Sequence, residues 1–424
     1  MPWAEWQSSL GTFKSGTSIC PQVLNDASSS KYPRRGGWVV LVTFLHTADW
    51  QLGMTRAFLS EEAQGRFTQA RIDAIRTMAE LALAGGASFG VVAGDVFESN
   101  LLSPQVIARS LEAMRASRIT WYLLPGNHDP LDASSIYRQK DFIEHKPENV
   151  NVIADSVPIA VDDGTDLVGA PWPNKRPLRD LVEAAVKEVT PTRERIRVVI
   201  GHGAVDVLAP DKKNPSNISL ADSERALEEG RLQYLALGDR HSSTDVGGGG
   251  RIRYSGAPEP TDYDEDRPGF ALLVELTASN CEVRELPVAK WHFARETFDL
   301  SGDADLPRLR AWFDALPSKE NSIVKMGLKG TLSLQGHAEL SRLLEEARHL
   351  LGALEIWERE SQLVVRPTAA DLDSLGLSGY AREVLDGLRE QVDTSSAEET
   401  RSRTAGDAMA LLYRLARARP TDQA

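Results

Sequence analysis

The chain has 424 residues, of which 42% are hydrophobic and 26% charged, and its formal net charge at pH 7 is −13. This length exceeds what one core ordinarily serves, so we expect a globular protein of two or three domains. The longest early apolar run, residues 38–45, is too short to span a bilayer and no leader pattern precedes it, so we expect a cytoplasmic protein without a membrane segment. Cys20 and Cys281 are expected as free thiols. The acidic charge argues against a surface that binds nucleic acid everywhere, but leaves room for a local basic groove.

Residues 1–37 are polar, rich in Ser and Gly and without periodicity. We expect either a disordered extension or translated sequence upstream of the natural start. Beyond them, apolar runs typical of strands alternate with helical patterns, among them Glu61–Ala84 and a helix capped by Ser103. The strands are predicted at 39–45, 88–93, 119–124, 195–200 and 234–237. This alternation predicts an α/β sandwich with parallel strands at its centre.

The pattern changes after about residue 288, and we expect a small α/β domain at 289–368. Its predicted elements are strands at Trp291–Phe298, a pair within Ser322–Leu334 and a stretch at Leu354–Val365, with helices at Pro307–Ala315 and His337–Leu351. The tail, 369–424, is predicted to be helical around a polar stretch at 393–404. The apolar stripe of its last helix would either dock on a partner or pack on its own chain.

Five of the predicted strands are each followed by residues able to bind a metal ion. These residues are Asp49 and Gln51, Asp95, Asn127-His128-Asp129, His202, and Asp239 with His241. Ligand sites gather at the carboxyl ends of parallel strands, so we expect the five groups to converge on one crevice. A single Gly-Asp after a strand is also an ordinary turn, but five such groups in register indicate a metal centre.

Carboxylates, an amide oxygen and imidazoles suit Mn²⁺, Mg²⁺ or Fe²⁺ better than metals that seek thiolates. Two such ions about 3.5–4 Å apart can clamp a phosphate and activate a water for in-line attack. Both ions would share one carboxylate, and Asp95 is the natural candidate.

The motif series resembles the calcineurin-like metallophosphoesterase superfamily. It consists of Asp49-x-Gln51, Gly94-Asp95-x-x-Glu98, Gly126-Asn127-His128-Asp129, Gly201-His202 and Gly238-Asp239-x-His241. The stretches 45–53 and 254–259 are similar to the SbcD-type branch, the nuclease subunit of a DNA double-strand-break repair complex. The resemblance covers about residues 42–285 and implies a β-sandwich flanked by helices at 38–288. The domain at 289–368 resembles that branch's capping domain in position and size only.

The resemblance also implies roles for individual residues. One ion would be held by Asp49, Gln51, Asp95 and His241, and the other by Asp95, Asn127, His202 and Asp239. His128 matches the family's catalytic histidine, which would stabilise the transition state or protonate the leaving oxygen, and Asp129 would orient its ring.

Two ligands depart from the family pattern, which has histidine in place of both Gln51 and Asp239. Glutamine is a weaker ligand than imidazole, and an extra carboxylate favours hard metals while reducing the ion's power to acidify water. We therefore expect an active enzyme that prefers Mn²⁺ or Mg²⁺, and impaired catalysis stays open as the alternative.

Three further features allow two interpretations each. His46 either touches a ligand or is a buried structural histidine, and Arg240 either contacts a phosphate or forms a surface ion pair. Trp172, in the loop 171–176 with its two cations, either stacks on a nucleic acid or anchors the loop by packing.

We expect a Mn²⁺-dependent DNA exo- and endonuclease subunit that forms a homodimer and works with an SMC-like coiled-coil ATPase of the SbcC type. One alternative is a phosphodiesterase of small phosphoesters or nucleotides, which the acidic surface favours. The other is a DNA-binding subunit whose altered ligands have weakened catalysis.

Overall fold

The computed structural model describes residues 30–34, 37–192, 194–366, 379–393, 404–405, 408–409 and 411–412. Two mixed sheets lie face to face with helices on their outer sides, and a third sheet forms after residue 291. The predicted α/β sandwich flanked by helices is therefore confirmed. The domain limits at residues 38, 288 and 368 stay predictions.

The first sheet has the strand order β13-β12-β2-β3-β4-β5, with β1 also paired to β2. Its strands are β1 (Ser30–Arg34), β2 (Gly37–Thr47), β3 (Phe89–Val92), β4 (Thr120–Leu123), β5 (Val150–Val152), β12 (Phe270–Leu276) and β13 (Cys281–Pro287). Strands β2 to β5 are parallel, and β12 joins β2 antiparallel. Strand β1 lies within the segment predicted to be a disordered extension, whose residues 1–29 are outside the described part of the chain.

The second sheet has the order β10-β11-β9-β8-β7-β6, and its four central strands are parallel. Its strands are β6 (Ile159–Asp162), β7 (Thr165–Gly169), β8 (Ile196–His202), β9 (Tyr234–Gly238), β10 (Thr244–Val246) and β11 (Ile252–Tyr254). The core between the sheets is aromatic at its centre. Phe44 stacks on Phe89 at 5.4 Å between ring centroids, and Tyr234 of the second sheet meets Phe44 edge-on at 5.6 Å.

Helices cover the outer faces of both sheets. They are α1 (Glu61–Ala84), α2 (Pro104–Ala116) and α3 (Lys140–His145) on the first sheet, and α4 (Leu181–Lys187) and α5 (Leu220–Glu228) on the second. Helix α1 has the predicted bounds, and the predicted cap of α2 is present, because the hydroxyl of Ser103 accepts from the N–H of Val106 at 3.4 Å.

The third sheet is entirely parallel around β15. Its elements are β14 (His292–Leu300), α6 (Leu306–Ala315), β15 (Ser322–Leu332), α7 (Leu334–Leu350), β16 (Ala353–Ile356) and β17 (Gln362–Val365), and a further helix spans Tyr380–Asp393. The predicted strand pair within Ser322–Leu334 is wrong, since β15 is one strand. Gly330 makes no turn there: a Cβ would lie 2.0 Å from the carbonyl oxygen of Leu300, so glycine allows the close approach of β14.

The described part of the tail packs on its own chain. Leu385, Ala405 and Met409 are buried with Leu334 and Val365, which favours the second of the two alternatives for the apolar stripe. The polar stretch at 394–403 lies outside the described residues. Within the described residues, no helix is long and apolar enough to cross a membrane.

Candidate metal centre

The carboxyl ends of five parallel strands, three from the first sheet and two from the second, lie at one edge of the sandwich. Asp49, Asp95 and His202 lie close together there, with one ligand atom from each within 4.8 Å of the other two. All three side chains are buried. The crevice expected from the sequence is therefore formed jointly by both sheets.

Four of the predicted ligands have left-handed backbone conformations. The φ angles are 54° at Asp49, 44° at Gln51, 51° at Asp95 and 94° at Asp239. Non-glycine residues adopt such angles rarely and at a cost, so the surrounding structure must hold them. Part of that support is mutual: the N–H of Gln51 donates to the carbonyl of Asp95 at 2.9 Å, and the N–H of Asp239 donates to the Asp49 carboxylate at 3.0 Å.

Three glycines beside the ligands leave space for other ligand residues. A Cβ at Gly94 would lie 2.1 Å from Nδ1 of His202, and one at Gly126 would lie 2.2 Å from Oδ1 of Asp95. At Gly238 it would lie 2.0 Å from the carbonyl oxygen of Ala93 and 2.9 Å from Nδ1 of His202. These glycines permit a close approach between segments of the two sheets.

His202 is at the centre of the second predicted ligand set. Its Nδ1 donates to the carbonyl of Ala93 at 2.8 Å, so Nε2 is aimed at the oxygens of its neighbours. Nε2 lies 2.6 Å from Oδ1 of Asn127, 3.4 Å from Asp95 and 3.8 Å from Asp239. Burial lowers the pKa of His202, but the nearby carboxylates, Asp95 foremost, raise it well above its ordinary value.

The first predicted ligand set includes Gln51 and His241, whose Nε2 atoms lie 3.2 Å apart. Nδ1 of His241 is 2.8 Å from the Glu265 carboxylate and 2.7 Å from the Thr261 hydroxyl, which leaves Nε2 for the crevice. Burial lowers the pKa of His241, but the hydrogen bond that its ring donates to Glu265 and the charge of Asp49 raise it to about 9. A carboxylate behind the ring is the arrangement that usually orients a histidine ligand of a metal.

The donor set fits divalent metal ions. Burial raises the pKa of Asp49 to about 7 and also raises that of Asp239, so a cation bound beside them would stabilise their charged forms. Among the described residues, Oε1 of Gln51 and Oε2 of Glu98 are buried oxygens without a hydrogen-bond partner. Rotation of the Gln51 amide by 180° would turn that oxygen toward the His241 side. Such an oxygen-rich set with two imidazoles suits Mn²⁺, Mg²⁺ or Fe²⁺.

His128 lies beside this cluster at the cleft. Its N–H donates to Oδ1 of Asp95 at 2.9 Å, and its Nδ1 lies 2.9 Å from the carbonyl oxygen of Glu98. Its Nε2 is 4.0 Å from Oδ2 of Asp95, and the side chain is 38% exposed. The ring is therefore oriented by the backbone of Glu98, with Nε2 on the side of the carboxylate cluster.

The contacts of Asp129 do not support the expected role of orienting His128. Its buried carboxylate accepts from the N–H of Gly126 at 2.7 Å, the N–H of Phe97 at 3.0 Å and the hydroxyl of Tyr137 at 2.6 Å. Burial and the charge of Asp95 raise its pKa to about 6. These bonds connect two loops that carry predicted ligands to the core, so Asp129 positions the backbone. Within the described part of the chain it forms no hydrogen bond with the His128 ring.

Two of the open alternatives are answered by contacts. His46 bonds the Tyr234 hydroxyl through Nδ1 at 3.1 Å and the Leu237 carbonyl through Nε2 at 3.2 Å, so it is a structural histidine between the sheets. Trp172 is buried and donates from Nε1 to the carbonyl oxygen of His202 at 2.7 Å. Of its two interpretations, packing is therefore the one that the contacts support, and the residue whose backbone it holds is a predicted ligand.

A cleft of about 450 Å³ opens over the cluster. Arg56 and Arg240 line it, and Nε of Arg240 donates to the hydroxyl of Thr244 at 2.9 Å. A loop with three exposed aspartates, Asp262, Asp264 and Asp266, also lines the cleft and contributes negative charge. The cleft thus combines cationic groups with a strongly acidic rim.

Several supporting residues were not predicted from the sequence. Thr261 and Glu265 contact His241, and the buried Arg71 of α1 donates to the carbonyls of Trp50 at 3.3 Å and Pro260 at 2.7 Å. These contacts join segments far apart in the chain. No spacing in the sequence marks them, and covariation among relatives would be the signal that finds them.

Residues 42–243 match the family described as calcineurin-like phosphoesterase. This match agrees with the sandwich and with the ligand motifs at its edge. The chain therefore contains a calcineurin-like metallophosphoesterase domain, and the resemblance found in the sequence is confirmed.

The curated relatives share one description, which names each as the D subunit of the nuclease SbcCD. The protein of that name from Escherichia coli (strain K12) is 26% identical over 256 residues, which cover 52% of this chain and 61% of that protein. The one from Rhodobacter capsulatus is 26% identical over 375 residues, which cover 77% and 89%. The chain thus matches less than two thirds of the length of the Escherichia coli protein. A solved structure described as TT1561 of Thermus thermophilus covers 58% of this chain and 99% of that one, with 10% identity and a TM-score of 0.38.

Proposed function

We propose that the protein is a cytoplasmic two-metal phosphodiesterase that hydrolyses DNA as a Mn²⁺-dependent exo- and endonuclease. The observation that carries this proposal is the cluster of oxygen and imidazole donors around Asp95, contributed by both sheets, with His128 beside it. The word "nuclease" in the names of the relatives supports the choice of substrate.

The seven donors divide into the two sets that the family pattern implies. Asp49, Gln51, Asp95 and His241 would hold one ion, and Asp95, Asn127, His202 and Asp239 would hold the other. When bound, two divalent ions supply positive charge to a phosphate and increase the acidity of water.

The protein's own side chains would donate the proton and bind the phosphates. Because Nδ1 of His128 is occupied by the carbonyl of Glu98, Nε2 is the atom available to a phosphate. Protonated there, it donates to a non-bridging oxygen as negative charge develops, or gives its proton to the leaving oxygen. Arg56 and Arg240, which line the cleft, would bind the flanking phosphates.

The names of the relatives also suggest the partners. A nuclease named SbcCD that has a D subunit implies a C subunit as well, which we propose to be a coiled-coil ATPase of the SMC type. We also propose a homodimer of this chain. Both remain proposals, since the match spans only part of the Escherichia coli protein.

The decisive experiment is cleavage of linear and hairpin DNA by the purified chain with Mn²⁺. We expect cleavage by the wild type and by Glu345→Ala, which removes an exposed carboxylate far from the cluster in sequence. We expect Asp95→Ala to lose activity by at least about a thousandfold, because this carboxylate would serve both ions. Equal activity of Asp95→Ala and the wild type would refute the proposal.

A second candidate substrate is a small phosphoester such as a cyclic nucleotide. The acidic rim of the cleft favours it, because Asp262, Asp264 and Asp266 would repel a long polyanion. Comparison of rates on bis-p-nitrophenyl phosphate, cyclic nucleotides and DNA separates the two candidates. Metal analysis tests the third, a weakened DNA-binding subunit, which one ion or none per chain would support.

A further inference from the structure

The loop at residues 261–266 has contacts in two directions. On one side it reaches the ring of His241, and on the other it reaches the third sheet, some 30 to 90 residues further along the chain. The residues that make the two kinds of contact are interleaved along the loop.

Thr261 and Glu265 make the contacts to His241. Besides bonding Nδ1 of that ring, they bond each other, since both the N–H (3.0 Å) and the hydroxyl of Thr261 donate to the Glu265 carboxylate. The Glu265 side chain is only 7% exposed. The two residues and the imidazole therefore form one connected, largely buried unit.

Tyr263 and Asp264 make the contacts to the third sheet. The hydroxyl of Tyr263 donates to Oε2 of Glu355 at 3.0 Å, and Nζ of Lys325 lies 5.3 Å from the centroid of the Tyr263 ring. Asp264 forms an ion pair with Arg295. Glu355, Lys325 and Arg295 belong to β16, β15 and β14, so one loop contacts three adjacent strands.

These groups of the third sheet are themselves packed together. Lys325 and Arg295 both lie over the ring of Trp357, at 5.8 Å and 5.3 Å from its centroid. Tyr263 also meets Phe293 edge-on at 5.1 Å. The surface that receives the loop is thus a connected network of cations and aromatic rings on the third sheet.

The loop has little slack in which to absorb a displacement. Only one residue separates Tyr263 from Glu265, and a residue spans at most about 3.6 Å. Both ends are also held, because Arg56 donates to the carbonyl of Thr261 and the N–H of Asp266 donates to the hydroxyl of Ser242 at 3.0 Å. A shift of the third sheet must therefore reach Glu265.

We propose that the third-sheet domain, residues 292–365, sets the position of His241 through the loop 261–266. In this way it controls the affinity for the ion that His241 would help to bind. Tyr263 and Asp264 are positioning residues in this arrangement. The inference rests on the proposed two-ion centre. A partner or substrate that displaces the third-sheet domain would therefore change the occupancy of the ion at His241 and leave that of the other ion unchanged.

The test substitutes residues of the third sheet that contact the loop. Each full-length protein is freed of metal and then titrated with Mn²⁺ by calorimetry. We expect Glu355→Gln and Arg295→Met each to weaken one of the two binding steps about threefold, and the pair together about tenfold. Glu265→Gln should weaken the same step by about tenfold or more, and the other step should keep its wild-type affinity. Tyr263→Phe should weaken the same step at least as much as Glu355→Gln, because it removes the hydrogen bond to Glu355, whereas Glu355→Gln only makes the acceptor neutral.

The matched control is Lys329→Met, which breaks the 2.6 Å ion pair with Glu360 in the same domain. It should bind Mn²⁺ as the wild type does. Wild-type affinity in Glu355→Gln and Arg295→Met would overturn the inference, and so would equal weakening of both steps in all variants, since that is general destabilisation.

A second measurement needs no metal. In the metal-free protein labelled with ¹⁵N-histidine, the Nδ1 signal of His241 should shift in Glu355→Gln and stay in place in Lys329→Met. An unmoved signal would refute the coupling. Fewer than two Mn²⁺ ions bound by the wild type would instead count against the proposed function, so the two failures are distinguishable.

Discussion

Asp49, Gln51, Asp95 and Asp239 present their side chains from left-handed backbone, and three of them are carboxylates. A residue pattern predicts which side chains follow a strand, but it carries no information on such φ angles at residues other than glycine. The structure adds that these conformations are supported by bonds among the ligand loops themselves. The ligand types were thus accessible from the sequence, and the geometry that aims them was not.

The amide of Gln51 gives the sharpest prediction at this scale. We expect Gln51→His to increase the Mn²⁺ affinity of the first ligand set by about tenfold and to raise the hydrolysis rate, because imidazole is the stronger ligand. Histidine also tolerates a φ of 44° better than most residues. Calorimetric titration and turnover of bis-p-nitrophenyl phosphate are the measurements. Gln51→Leu is the control and should weaken binding; equal affinity in both variants would show that position 51 holds no ion.

The convergence of the predicted ligands could be foreseen where it depends on residues next to strands, but contacts with residues distant in the chain could not. All seven proposed ligands follow apolar runs, and the structure places them along one edge. Asp129 lies next to His128 in sequence, yet its carboxylate faces Phe97 and Tyr137. Adjacency in sequence suggested a contact that the direction of the side chain does not allow.

At the scale of elements, the close packing of strand ends depends on glycine. We expect Gly126→Ala to abolish metal binding and hydrolysis while the fold persists, because the new Cβ would lie 2.2 Å from Oδ1 of Asp95. Gly249→Ala is the control, since a Cβ there meets nothing within 4 Å. Calorimetry with Mn²⁺, with circular dichroism as the check on folding, gives the answer. Full metal affinity in Gly126→Ala would mean that Asp95 can move away without loss.

His46, on β2 between the two sheets, makes stability depend on pH. Burial lowers its pKa to about 3, so the folded protein keeps this ring neutral while the unfolded chain protonates it near pH 6.5. Its contribution is therefore complete above pH 6.5 and is lost as the pH falls toward 3. Between pH 7 and pH 5.5 we expect the free energy of unfolding to fall about 1 kcal/mol more in the wild type than in His46→Gln. Urea unfolding of the metal-free proteins measures this; parallel pH profiles would contradict it.

The elements themselves were predicted to different degrees. The helix Glu61–Ala84 was predicted from a long periodic run. The strands that precede the predicted ligands were predicted from runs of β-branched residues. Strands β5, β6, β7 and β10 were missed, since they have three to five residues each and are defined by pairing with neighbours. The second sheet was therefore only partly foreseen. Short strands depend on tertiary contacts that local periodicity does not carry.

At the scale of the whole molecule, the third-sheet domain is attached through an apolar contact. Trp291, 1% exposed, meets Phe67 of α1 edge-on at 5.2 Å and packs with Met54 and Ile323. We expect Trp291→Ala to cost about 3–5 kcal/mol and to separate the unfolding of the two domains into distinct calorimetric transitions. Leu350→Ala, at a side chain that is 56% exposed, should leave the transition where it is. An unchanged melting profile in Trp291→Ala would show that the contact contributes little.

The acidic rim of the cleft has a consequence for how the substrate arrives. Asp262, Asp264 and Asp266 lie at the mouth of the cleft, and the net charge of the chain is −13. An approaching phosphodiester therefore meets a repulsive long-range field before it reaches Arg56 and Arg240 in the cleft. Mobile salt shortens the reach of that field to about 10 Å at 0.1 M. Productive encounters with a small anionic diester should therefore become more frequent as ionic strength rises toward physiological values, the reverse of the salt inhibition common among proteins that capture nucleic acids with basic surfaces.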